Sequence, residues 1–182
     1  DLIDRINLTN EQQAFLNTLP QGTLRQTVRD FCVNQPFRRD YWVKGLRNLS
    51  SLEKREQLNQ IAVVLTEPRE GLMPNIVGSL GAATIQPSIY EPILDWLADN
   101  KPCTIMQLLE KGKVHQINAA QVLQAVILLC GSGVLKIAQD DVEVQSARNK
   151  TEILNTFLMQ KARSTAEIGY LASPVTGGGI AM

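Results

Sequence analysis

The order of helix caps between residues 87 and 146 constrains this chain more than any other feature. Thr104 with Gln107, and Asn118 with Gln121, are each spaced as capping boxes. In that arrangement two side chains three residues apart satisfy each other's free backbone N–H groups. Ser88 with Glu91 offers a third box, although Pro92 prefers a first-turn position. The pattern predicts a helix over about 89–99, with Ile89, Ile93 and Leu97 on one face. A short helix from Thr104 to Gly112 follows, then a third from Asn118 to near Gly131 or Gly133. VLKIA (134–138) and VEVQ (142–145) alternate across the polar turn Gln139-Asp140-Asp141, which reads as a β-hairpin. Three helices followed by a hairpin is the order of a winged-helix domain.

The first half carries different signals. Thr9 with Gln12 opens a helix over 9–18. Leu24, Val28, Phe31 and Cys32 make one apolar face of a helix over 23–34, which Pro36 stops. YWVKGL (41–46) favours an extended piece. Ser50 with Glu53 opens a helix to about Gln60. IAVVLTE (61–67) is rich in β-branched residues and reads as a buried strand. NIVGSLGAATIQ (75–86) reads as a glycine-interrupted extended stretch. Beyond the hairpin a helix is expected over 148–163, with Leu154, Phe157 and Leu158 as its apolar side. No pattern is assigned from Ser164 onward.

These elements predict an α/β (α+β) protein. A small mixed domain over 1–87 precedes a winged-helix-like domain over 88–146 and a helical C-terminal segment over 147–182. The start at Asp1 and the apolar, uncapped end Gly177-Gly178-Gly179-Ile180-Ala181-Met182 are expected of a piece of a longer protein.

Charge narrows the partners. Eighteen Lys/Arg balance eighteen Asp/Glu, so total charge favours neither nucleic acid nor a membrane surface. The distribution is uneven: residues 1–87 net +1, residues 88–145 net −3, and residues 146–182 net +2. The third helix of the 88–146 segment, where a DNA reader would sit, has no Lys or Arg, and the expected hairpin tip is Asp140-Asp141. Phosphate neutralisation needs the opposite sign, so a nucleic-acid partner is not expected. No apolar run approaches the roughly 20 residues of a membrane span. Cys32, Cys103 and Cys130 are odd in number and form no CxxC pair. They read as reduced thiols of a cytoplasmic protein.

The search for chemistry finds little. A nucleophilic triad needs a base, and the one histidine, His115, stands alone before the third helix. No serine lies in a G-x-S-x-G elbow, and no Cys/His pairs have zinc spacing. The glycine clusters at 78–81, 131–133 and 177–179 lack the strand-before, helix-after context of a dinucleotide or phosphate loop. No catalytic, cofactor-binding or metal-binding residue is therefore assigned. One segment does stand out: Phe37-Arg38-Arg39-Asp40-Tyr41-Trp42-Val43-Lys44-Gly45 interleaves aromatics with charges. It is either a helix-to-strand junction with Phe37 and Tyr41 in the core, or a contact surface. Arg and aromatic side chains supply most interface hot spots, so Phe37, Arg38, Arg39, Tyr41 and Trp42 are the candidate interaction residues. Phe37 is expected to be buried, with one of the two arginines held against the protein.

Read with its flanks, DFCVNQPFRRDYWVKG (30–45) resembles the signature of the methyltransferase regulatory domain. YLASPVTGGG (170–179) is similar to a stretch near the C-terminus of such proteins. From the motif, Phe37, Arg38 and Arg39 carry over. The resemblance implies a region C-terminal to an S-adenosylmethionine-dependent methyltransferase domain, which in some members modifies protein lysines. It implies the N-terminal methyltransferase domain of the same parent chain as a partner, and a protein substrate as a further one. The donor would sit on that other domain, since this chain lacks the acidic-x-Gly-x-Gly-x-Gly loop. The expected role is non-catalytic regulation or substrate recognition by protein–protein contact, with homo-oligomerisation open. A winged-helix DNA-binding regulator and a stand-alone adaptor are the competing readings.

Overall fold

The computed structural model describes residues 4–37, 43–72, 76–82 and 85–181. The short helix α1 (Asp4–Asn7) leads into α2 (Asn10–Thr18) and α3 (Thr23–Cys32). Helix α4 (Ser51–Gln60) runs into strand β1 (Ala62–Leu65), and a small hairpin pairs β2 (Val77–Gly78) with β3 (Gly81–Ala82). Then come α5 (Pro87–Trp96), β4 (Cys103–Thr104), α6 (Ile105–Val114), α7 (Ala119–Gly131) and β5 (Leu135–Ile137). The chain closes with α8 (Asp141–Ala162) and a hairpin of β6 (Tyr170–Ser173) with β7 (Gly178–Ala181). The mixture of helices with small antiparallel sheets is the expected α/β class.

Local chemistry sets the helix starts. Thr9, Ser50, Thr104 and Asn118 each cap a helix as a reciprocal box with Gln12, Glu53, Gln107 and Gln121. The Ser88–Glu91 box does not form. Pro87 takes the first turn of α5 and Gln86 stands at the cap without a side-chain bond, because proline's fixed φ already suits that position.

The central sheet has the order β4-β1-β5, with both pairings antiparallel. Val63 lies opposite Cys103 on one side and Ile137 on the other. The middle strand therefore comes from the first half of the chain and both its neighbours from beyond residue 87. Val63, Val64 and Leu65 are buried. Val63 and Leu65 share one core cluster with Ile93, Leu97, Leu108, Val122, Leu129 and Leu135. The core thus crosses the boundary expected at 87.

Helices α6 and α7 pack at Gly112. A Cβ there would lie 2.8 Å from Val122 Cγ2 and 3.0 Å from the Ile117 carbonyl oxygen. Only glycine permits that approach without a shift.

The hairpin expected over 134–145 is corrected. Residues 142–145 form the first turns of α8, and β5 instead pairs with β1. Asp140 stands at the cap position, with Asp141 and Glu143 in the first turn, where carboxylates favour the positive end of the helix dipole. Two valines at alternate positions did not outweigh that start signal, and β1 occupies the pairing edge. Helix α8 consequently begins seven residues before the expected 148. The C-terminal segment is also not purely helical, since residues 170–181 fold as a hairpin against α8. The Asn155 amide anchors it, accepting from the Ala172 N–H and donating to the Ala172 carbonyl, both at 2.8 Å.

Candidate functional site

Helix α3 is held by its polar side. Arg29 donates from Nε (2.8 Å) and Nη2 (2.6 Å) to Asp4 Oδ1, tying α3 to α1 in a bridge that is mostly shielded from water. Arg25 donates from Nε to the Leu16 carbonyl (3.0 Å) and from Nη2 to Asn17 Oδ1 (3.2 Å), tying α3 to α2. Leu24 and Phe31, seven residues and nearly two turns apart, share the opposite line. They are 60% and 81% exposed, while Val28 and Cys32 at its margin are half-buried. No residue of α3 is fully buried.

The end of α3 explains where its apolar line leads. Asn34 adopts a left-handed φ of 51°. Its N–H donates to the Phe31 carbonyl (3.1 Å), and the Gln35 N–H reaches back to the Asp30 carbonyl (2.9 Å). That pair of bonds is a Schellman ending. It turns the chain outward, with Pro36 blocking any return to helix. A hollow of about 300 Å³ beside Phe31 is bounded by Thr27, Asp30, Asn34 and Pro36.

Phe37 follows this turn and is 83% exposed, with its carbonyl accepting from Gln35 Nε2 at 2.6 Å. The expected burial of Phe37 is thereby corrected: the Schellman turn aims it at solvent. Arg38, Arg39, Tyr41 and Trp42 lie outside the described residues, as do the expected contacts of the arginines. The described part of the extended piece, 43–46, is loop, with a turn at Lys44–Gly45 where Gly45 has φ +71°. Val43 and Leu46 are exposed in it. The structure thus adds Leu24 and Phe31 to Phe37 as exposed apolar groups of one region. Both belong to the apolar face that the spacing of Leu24, Val28, Phe31 and Cys32 predicts for this helix.

The other groups weighed for chemistry sit at helix ends, in the core or in turns. His115 caps the C-terminus of α6 and its ring lies 5.2 Å from that of Trp96. Burial pushes the thiols of Cys103 and Cys130 up, so both stay un-ionised near neutrality. Gly78 and Gly81 belong to the β2–β3 hairpin, Gly131 ends α7, and Gly177 to Gly179 sit in and after the turn of the last hairpin. None of these clusters joins a strand to a helix N-terminus, the setting in which a dinucleotide or phosphate loop is built. Among the described residues no group of three or more His, Cys, Asp or Glu is placed to hold a metal. Among them, too, no helix is long and apolar enough to cross a membrane.

Comparison with known proteins adds three findings. An uncharacterized protein of Synechocystis sp. is 30% identical over all 182 residues of this chain, which spans 36% of that protein's length. No solved structure matches. Residues 1–44, which contain α3, its Schellman turn and Phe37, match the family model described as the predicted methyltransferase regulatory domain, the same family that the segment 30–45 resembles.

Proposed function

We propose that this chain is the regulatory portion of an S-adenosylmethionine-dependent methyltransferase. It works by protein contact, through the face of α3, on the methyltransferase domain of the same parent protein. The observation that carries the reading is the helix itself. Its polar side is tied down by Arg25 and Arg29, while the Leu24–Phe31 line is left open within the span that matches the family. Exposing two large apolar groups seven residues apart forgoes burial worth roughly 1.5–3 kcal/mol each. A covering partner would recover it. The Synechocystis relative, nearly three times as long, leaves room in such a parent for a catalytic domain.

Methyl transfer is assigned to that other domain, because the glycine clusters here lack the geometry of a donor loop. Regulation then means that docking fixes the catalytic domain or its protein substrate in place. The DNA-binding reading is disfavoured by α7. Five of its thirteen residues are buried, and it has no Lys or Arg with which to meet a phosphate.

The test is titration of this chain with the separately produced methyltransferase domain of its parent. Leu24→Asp and Phe31→Asp should each weaken binding by about 30-fold, the loss of a hot-spot contact of roughly 2 kcal/mol. Affinities unchanged by both substitutions would remove the α3 face from the account. Salt-sensitive binding to random duplex DNA would favour the competing reading.

A further inference from the structure

We infer that two copies of this chain pair through antiparallel α8 helices, each inserting Phe157 into the other's cleft between α8 and the last hairpin. The inference goes beyond the proposed docking of α3 and rests on a separate surface. Helix α8 is 22 residues long and none of its residues is fully buried. One side, through Val144, Ala147, Thr151, Asn155 and Leu158, faces the β6–β7 hairpin and is half-buried. Next to it runs a line spaced four, three, four, three and four residues apart: Glu143, Ala147, Lys150, Leu154, Phe157 and Lys161. Such spacing keeps side chains on one strip of a helix. Leu154 and Phe157 on that strip are 47% and 54% exposed.

The strip is complementary to its own reverse. About a two-fold axis near residue 152, Glu143 of one copy faces Lys161 of the second. Ala147 faces Phe157, and Lys150 faces Leu154. Glu143 and Lys161 are eighteen residues apart, five whole turns at 3.6 residues per turn, so both lie on the same side of the helix. Opposite charges meet at both ends, a large ring meets a small methyl group, and a lysine stem can lie along a leucine with its ammonium free.

A second observation identifies the receiving site. Beside Ala147 the structure holds an open cleft of about 560 Å³, bounded by Glu143, Ala147, Thr151, Tyr170 and Ser173. Lys161 Nζ lies 5.9 Å from the centroid of the Phe157 ring. An inserted ring would therefore bring its ammonium toward Glu143 at the cleft's edge. Protrusion and cleft sit on the same helix at the separation that one two-fold axis requires. Such isologous pairing is the commonest way in which a chain meets its own copy.

Sedimentation equilibrium of the purified chain tests this without any methyltransferase domain, so its outcome is independent of the α3 proposal. A dimer should form at about 50 µM. Phe157→Ala should weaken it by about tenfold or more, with an unchanged far-UV circular dichroism spectrum as the check on folding. Glu143→Lys and Lys161→Glu should each weaken self-association. An equimolar mixture of the two should restore dimers, because both charge pairs are then opposite in sign. A monomer at that concentration, a dimer indifferent to Phe157→Ala, or a mixture no stronger than either variant alone would each overturn the inference.

Discussion

Helices α7 and α3 use apolar residues in opposite ways. Helix α7 has few polar positions, and it buries Val122, Ala125, Val126, Leu128 and Leu129 against the helices and sheet of the core. Helix α3 segregates its apolar and polar residues sharply, the pattern expected of a surface helix resting on a core. Yet it rests on its arginines and leaves Leu24 and Phe31 in water. An all-round apolar helix marks the place where the fold is held together. A well-segregated helix with its apolar side uncovered has the surface pattern of an interaction site, which is the role proposed for α3.

The largest effect that should separate the two regions is Leu129→Ala. The side chain is wholly enclosed, and its truncation should cost about 2–5 kcal/mol in urea unfolding, transfer and cavity terms together. Gly112→Ala should come next. The added methyl group meets Val122 and the Ile117 carbonyl at the α6–α7 contact, and overpacking of this kind costs about 1–3 kcal/mol. A loss under about 0.5 kcal/mol would mean that the contact gives way more easily than the geometry implies.

A smaller effect is expected at the start of α4. Arg47, followed by the backbone and hydroxyl of Ser50, holds the Glu53 carboxyl down at about 2. Its unfolded value is about 4.3. A carboxyl depressed on folding contributes stability in full above its unfolded value and loses it as pH falls toward the folded one. The contribution should therefore fade between about pH 4 and pH 2, and Glu53→Gln should flatten that part of the stability–pH curve. Glu53 is half-buried but its partner Arg47 is exposed, so the change should be slight and should shrink with added salt. The smallest effect is Phe31→Ala, which should leave unfolding within about 0.5 kcal/mol of the parent value. A loss comparable with that of Leu129→Ala would place Phe31 in the core and erase the contrast between the helices.

What could be read from the sequence was what local chemistry decides. The four capping boxes at Thr9, Ser50, Thr104 and Asn118 form as their spacing requires, and β1 is a buried strand as its β-branched run suggests. What could not be read was pairing at a distance. Nothing near Leu135 or Val63 announces that the two strands meet across some seventy residues, so the nearby alternating stretch 142–145 reads as the partner of 134–138 instead. The last hairpin was missed for a related reason. Its strands are short, and its four-residue turn, Pro174 to Gly177 with Gly177 at φ +64°, is recognisable only once Ser173 and Gly178 are known to pair. At the candidate site the motif marks a segment but does not show how Phe37 is oriented. Asn34 and Pro36 carried the signal for a Schellman ending, and that ending, rather than the hydrophobicity of Phe37, decides which way the ring points.

The central claim is that the α3 face is covered in the intact protein. Amide hydrogen exchange of residues 24–33, compared between this chain alone and the full-length parent, tests it most directly. The account predicts that these amides exchange at least about tenfold more slowly in the parent, and that Phe31→Asp abolishes the added protection. Identical exchange in the two proteins would contradict it.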